Sequence, residues 1–343
     1  MDAKITKTRL SRMLSYDWIK IIALAAAAIL VWTLIFTMTA TRITPAQQFT
    51  VFNDTGNVSL SRTNFYDLYE KAFKDGVFSY EVIETNVNDM ADNPDYANTL
   101  MEARLGTDEG DIMFVPNAPD TSSAYKDEET GETKYKYSQL DKLAMSYQFN
   151  LYTLDPTAEN GYFQQMEKYL DKYYDNGDCL TGELDEEKVK ADFRARIEKN
   201  KDKRYKKPAQ IAQGEADDVA RIQKYQAALV KFYEYVEMGY VSVTSVDIQL
   251  DSREIKGAYF LNICPETDKA GAPLTATDSM VEYVAHTVEE VDAETGETKN
   301  VRTAKNMCVA FFRLDGVEEG FQYESLLFLT YLLDTCVAEG AAK

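Results

Sequence analysis

The sequence predicts an α/β fold: an N-terminal transmembrane helix, then a mixed sheet domain with a helical insert. Three observations predict it. Ile19 to Ala40 (IKIIALAAAAILVWTLIFTMTA) is one long apolar run with a single charge, Lys20, at its edge. From Phe49 onward, short apolar strands alternate with amphipathic helices. The middle of the chain carries long charged helical stretches, and the last third returns to strands.

A helix rises about 1.5 Å per residue, so roughly 20 apolar residues cross a hydrocarbon core of about 30 Å. The segment before the run holds Lys4, Lys7, Arg9 and Arg12 against Asp2 and Asp17. Basic flanks stay on the cytoplasmic side, which places the remainder outside the cell membrane. A cleaved signal peptide is the competing reading, but its apolar core is shorter, about 7–15 residues. Met38 also stands where a cut after Ala40 wants a small side chain. A core helix of a soluble protein is the third reading, and it rarely needs so long an unbroken run. The expectation is therefore an uncleaved single-pass anchor in the bilayer.

Net charge is −20 over 343 residues. The first 20 residues carry five basic and two acidic side chains, so the remainder stands at −23. Such a surface repels nucleic-acid phosphate and anionic lipid, and it favours solubility. Cys179, Cys264, Cys308 and Cys336 show no metal-type spacing. Three of them lie in apolar settings, which predicts buried thiols for most, with room for one disulfide.

The chain divides into a basic segment (1–18), the anchor (19–40), a stalk (41–48), an α/β part (49–150), a helical insert (151–240) and a closing part (241–343). In the α/β part, strands are expected at Phe49–Phe52, Phe78–Thr85 and Asp111–Val115. Between them come helices at Asn64–Phe73, with Phe65, Leu68, Tyr69 and Phe73 on one face, and at Asp95–Leu105, with Tyr96, Leu100, Met101 and Leu105 on one face. This alternation predicts parallel strands with right-handed crossovers. Ligands of such sheets gather at the carboxyl ends of strands. The candidate binding residues there are Asn53, Asp54, Thr55, Asn88 and Asn117, with Tyr125 nearby. Ordinary turn chemistry is the competing reading of Asn53, Asp54 and Asn117, and the favoured one.

Tyr125–Tyr137 reads as a hairpin turning at Thr130 and Gly131. Helices follow at Ser138–Tyr147, Gly161–Tyr174, Leu184–Lys207 and Glu215–Met238, the last stopped by Gly239. Strands are expected at Val241–Leu250, Ile255–Cys264, Met280–Val291 and Val301–Leu314, the last two flanking the turn-rich Asp292–Thr298. A closing apolar helix spans Phe321–Ala338.

The run YANTLMEARLGTDEGDIMFVPN, from Tyr96, resembles the first lobe of extracellular solute-binding proteins of ABC importers. There a helix leads through a short Gly/Asp loop, here Gly106 to Gly110, into an apolar strand that begins with Asp, here Asp111. The strand Gly257–Cys264 and the apolar strand and helix near the end fit the same pattern. The resemblance covers about a third of the chain. It implies a small polar ligand such as a sugar or peptide and a partner in the membrane. Two departures stand out: no lipid-attachment Cys follows the apolar run, and the middle lacks the strands of a second lobe. The alternative is an interaction or assembly module on a degenerate version of that fold.

Catalytic signatures are absent. His286 is the sole histidine, and no GxSxG, HExxH, EF-hand, P-loop or GxGxxG motif occurs. The reading is a non-enzyme with no catalytic residues, no cofactor and no metal.

Overall fold

A computed structural model describes residues 7–39, 43–54, 62–90, 94–291 and 298–342. The chain forms two units, Met1–Thr44 and Pro45–Lys343. The first contains α1 (Lys7–Thr39). Its stretch Trp18–Phe36 is long and apolar enough to cross a membrane, and it is exposed throughout. Its length and composition are those of a membrane anchor or of a signal sequence.

In the second unit the order is β1 (Gln48–Asn53), α2 (Arg62–Lys74), β2 (Glu84–Asp89), α3 (Pro94–Leu105) and β3 (Ile112–Pro116). A hairpin of β4 (Ala124–Lys126) and β5 (Thr133–Tyr135) leads to α4 (Gln139–Tyr147), α5 (Tyr162–Asp171), α6 (Glu186–Asn200) and α7 (Pro208–Met238). Then come β6 (Ser242–Gln249), β7 (Glu254–Asn262), α8 (Thr275–Val284), β8 (His286–Val291), β9 (Thr298–Thr303), β10 (Met307–Phe311) and α9 (Glu324–Ala342).

Six strands make the central sheet in the order β2-β1-β3-β10-β7-β6. β1 runs parallel to β2 and β3, while β10 is antiparallel to both β3 and β7, and β7 to β6. The fold is thus the expected α/β class with a mixed sheet. Alternate residues feed two cores. Phe49, Val51, Phe114 and Val309 pack beneath α2, α5, α7, α8 and α9. Phe52, Met113, Val115 and Ala310 pack beneath α3 and α4. The period-two alternation of β-structure sends them to opposite faces.

The middle helices are structural members of the first core. Phe163 of α5 stacks on Phe232 of α7 with ring centroids 4.1 Å apart, and Ile222 and Tyr225 of α7 are fully buried. Local chemistry sets the ends of these helices. Ser138 and Asp141 form a reciprocal capping box on α4, Asp185 caps α6, and Pro208 opens α7. Gly239 closes α7 at φ +82°, in the left-handed region.

Several expectations are corrected. The second strand is Glu84–Asp89 rather than Phe78–Thr85. Phe78 and Val82 instead enter the core from irregular backbone, and the polar strand that follows forms the sheet edge, where alternation is weak. On α3 the inward residues are Met101, Ala97 and Leu105, while Tyr96 (71 % exposed) and Leu100 (42 %) face outward. Phe73 of α2 is likewise exposed, with Ala72 buried in its place. Helix α6 stops at Asn200, where Lys201 turns left-handed at φ +50°, and α7 starts at Pro208 instead of Glu215. Met280–Val284 belongs to α8, and only His286–Val291 of that segment is a strand. Val301–Leu314 divides into the end of β9 and β10. The turn at 292–297 lies outside the described residues. None of the four cysteines is disulfide-bonded; all stand as buried thiols.

Candidate functional site

The carboxyl ends of β1, β2 and β3 meet at one edge because the three strands are parallel. Backbone hydrogen bonds hold the exits in place. Asp54 N donates to Phe114 O at 2.8 Å, Met90 N to Asn53 O at 2.9 Å, and Asn117 N to Asn306 O at 2.9 Å. The chain then crosses toward α4. The Asp120 carboxylate accepts from Ser122 N at 3.1 Å and from Ser122 Oγ, and Gln139 N donates to Ala118 O at 2.8 Å. The N-terminus of α4 is thereby placed beside the strand ends.

Between α3 and α4 this edge holds a crevice of about 190 Å³. Its floor is Met90, Met101 and Met113, all buried. Its rim carries Asp54, Asn98, Asp120, Gln139, Lys142 and Ser146. Lys142 Nζ lies 3.8 Å from Asp120 Oδ1, and with the lysine half exposed such a pair contributes about 0–1 kcal/mol. Tyr147 also lines the crevice; burial, and then the negative charge of Glu102, push its hydroxyl pKa up, so it remains a neutral phenol.

A wider, shallow cleft of about 560 Å³, open to solvent, runs along the β4–β5 hairpin, whose strand residues are all exposed. Asn117, Tyr125, Tyr135, Tyr137, Lys134 and Lys136 line it. Lys136 Nζ sits 5.1 Å from the centre of the Tyr137 ring. Lys134 is ion-paired with Asp127, whose pKa is held down to about 2, first by that lysine and then by hydrogen bonds from Thr130.

The sequence-selected residues separate into three groups. Asp54 lines the crevice, and Asn117 and Tyr125 share the hairpin cleft. Asn53 and Asn88 lie within strands, not in loops; Asn88 pairs with Phe52 in the register. Asn53 Oδ1 and Asn88 Nδ2 are buried without a hydrogen-bond partner among the described residues, and neither residue lines a cavity above. Thr55 lies outside the described residues. Sequence reasoning did not select Met90, Met101, Asp120 or Lys142. The Asp-Thr-Ser-Ser run at 120–123, an Asx-turn signature before a capped helix, was the available signal.

A second polar cluster lies on the other face and ties α7 to α9 and to the loop before β2. Arg221 donates to Asp218 Oδ1 at 2.8 Å, to Gly320 O at 2.7 Å and to Tyr169 Oη at 2.9 Å. Arg196 and Tyr80 donate to the same Asp218 oxygen. Glu324 accepts from Tyr225 Oη at 2.6 Å and Ser79 N at 3.0 Å. These bonds are internal, and their arrangement is that of a cross-brace. Among the described residues no group of three or more His, Cys, Asp or Glu side chains is placed to hold a metal ion. No family model, no curated protein and no solved structure matches the chain.

Proposed function

We propose that this chain is a membrane-tethered, non-catalytic binding module whose sheet domain resembles one lobe of a solute-binding protein and whose carboxyl-edge crevice docks a partner protein. The strand order β2-β1-β3 with an antiparallel β10 beside it supports the resemblance. One observation carries the docking reading. Pro45–Lys343 is a single unit around one six-stranded sheet, and the other sheets among the described residues are two-stranded hairpins. A two-lobed protein traps solute by closing one lobe on the other. With a single lobe, the strand-end face is a standing surface suited to a partner. The apolar Trp18–Phe36 helix and the basic residues before it support an extracytoplasmic domain held at the cell membrane.

The test is site-specific photo-cross-linking of the full-length chain in its own membrane. A photoreactive residue at Asn98, on the crevice rim, is expected to yield one discrete heavier adduct. The same residue at the exposed Leu180, remote in sequence and in a turn, is expected to yield none. Equal labelling at both positions, or none at Asn98, overturns the reading.

A second reading is favoured by the hairpin cleft, which Asn117 and Tyr125 both line. Its tyrosines and lysines offer ring faces and hydrogen-bond donors to a polar ligand. On this reading the cleft holds a small polar solute, such as a sugar or short peptide. A rise in melting temperature of the full chain in detergent with one of these solutes, abolished by Tyr125→Ala, supports it; a flat screen removes it.

A further inference from the structure

We infer that the crevice between α3 and α4 takes a single apolar side chain from a partner segment whose flanking residues are basic; the inference rests on the docking reading above. The volume sets the size of the group that seats in it. A cavity of about 150 Å³ holds one benzene molecule, so about 190 Å³ matches one leucine- or phenylalanine-sized group.

The floor sets its polarity. Met90, Met101 and Met113 present unbranched thioether chains, which repack around apolar groups of different shape. Next to this crevice, and sharing Met90, a second apolar hollow of about 310 Å³ is formed by Tyr96, Ala97, Leu100 and Asp89. This hollow accounts for the outward Tyr96 and Leu100 of α3, which the core does not use. Two hollows separated by Met90 fit a segment with two apolar anchors.

The rim sets the charge of what flanks the anchors. Asp54, Asp89 and Asp120 line the two hollows, and Glu102 lies close enough to Tyr147 to perturb it electrostatically. Lys142 is the one cation among the lining residues of either hollow. A basic segment is therefore attracted and an acidic one repelled, the arrangement by which interfaces select partners and speed encounter. Burial of a central apolar anchor inside a polar rim is also where binding energy concentrates.

The probe is a capped hexapeptide with two central leucines flanked by lysine pairs, titrated against the full-length chain in detergent and read by fluorescence anisotropy. Two peptides serve as comparisons, one with glutamates in place of the lysines and one with glycines in place of the leucines. The lysine–leucine peptide is expected to bind at least tenfold more tightly than either, and to weaken several-fold when salt shortens the screening length from about 10 Å to about 3 Å. Met101→Trp fills the floor and is expected to lower affinity at least tenfold. Ser146→Trp covers the mouth from an exposed position, spares the core, and is expected to do the same. Leu180→Ser is expected to leave affinity unchanged.

Equal binding of the three peptides overturns the partner chemistry. Unchanged affinity in a folded Ser146→Trp variant overturns the site. Either failure leaves the docking role to the Asn98 cross-link. Peptide binding at the crevice with no cross-link at Asn98 overturns the docking role and retains the chemistry.

Discussion

Arg221 Nε donates to Asp218 Oδ1 at 2.8 Å across one turn of α7, with side-chain exposures of 0 % and 1 %. Arg196 approaches the same oxygen at 3.0 Å, so one carboxylate serves two guanidinium groups. Removing one partner of a buried ion pair leaves uncompensated charge and costs about 3–5 kcal/mol. Asp218→Ala is expected to lose about that much stability in chemical denaturation. Arg196→Ala, which leaves the Arg221 bond intact, is expected to lose less.

Buried carboxyls give a second expectation. Burial, reinforced by the charge of Glu324, pushes the Asp111 pKa well above its ordinary value, against the lowering effect of the Thr50 N–H; burial likewise raises Glu324. A raised folded-state pKa means the native protein holds protons that the unfolded chain releases. The contribution of Asp111 is fully present below its unfolded value near 3.9 and declines as pH rises toward the folded value. Asp111→Asn keeps an acceptor for Thr50 N and removes the titration. Measured by denaturation from pH 4 upward, wild type is expected to lose stability relative to the variant, with a slope no steeper than about 1.4 kcal/mol per pH unit.

The single histidine allows a direct reading. His286 is buried with Nε2 2.8 Å from the Lys305 carbonyl oxygen, and burial lowers its pKa while that carbonyl opposes the shift. Its stabilising contribution is therefore present above about pH 6.5 and is lost as pH falls through the folded value. The imidazole proton resonances are expected to titrate below 6.5. His286→Phe is expected to remove the corresponding part of acid destabilisation; a midpoint at or above 6.5 contradicts the assignment.

Gly239 has φ +82°, and a Cβ there would lie 2.7 Å from Lys269 N. A non-glycine residue in this conformation costs about 1–3 kcal/mol before any clash. Gly239→Ala is expected to lower the melting temperature measurably, whereas Ala209→Gly in the first turn of α7 shifts it by less.

The proposed membrane tether predicts a fractionation result. If Trp18–Phe36 spans the bilayer uncleaved, alkaline carbonate leaves the intact 343-residue chain in the membrane pellet. Ile29→Arg places a charge near the middle of the span, at about 2.5–3.5 kcal/mol by insertion scales, and is expected to move part of the chain out of the pellet.

Strong local patterns were legible in the sequence. β1, β3, α4, α5 and α9 carry dense apolar sets or capping residues, and they appear where periodicity put them. β2 was not legible, because an edge strand of Glu, Thr, Asn, Val, Asn and Asp buries too little to alternate. The neighbouring FSYEVI looks more strand-like because Phe78 and Val82 plug the core from a loop. Helix α3 was placed correctly, but its facing was not; Tyr96 and Leu100 are apolar residues on the outer side. Asp54 and Asn117 were reachable from strand-end logic, and Tyr125 as a nearby aromatic. The methionine floor was not, since Met90, Met101 and Met113 converge only after the topology is known, and each alone reads as core.

The position of β10 has a consequence for biogenesis. This strand, built from Met307–Phe311, sits between β3 and β7 and joins the parallel half of the sheet to the antiparallel half. A ribosome makes β3 some 190 residues before β10. Until then β3 keeps an open apolar edge, and β6–β7 has nothing to pair with beyond itself. A nascent chain of this topology exposes aggregation-prone edges while it waits. Truncation before Met307 is therefore expected to yield a chain that is degraded or clumped, with no smaller native core to fall back on.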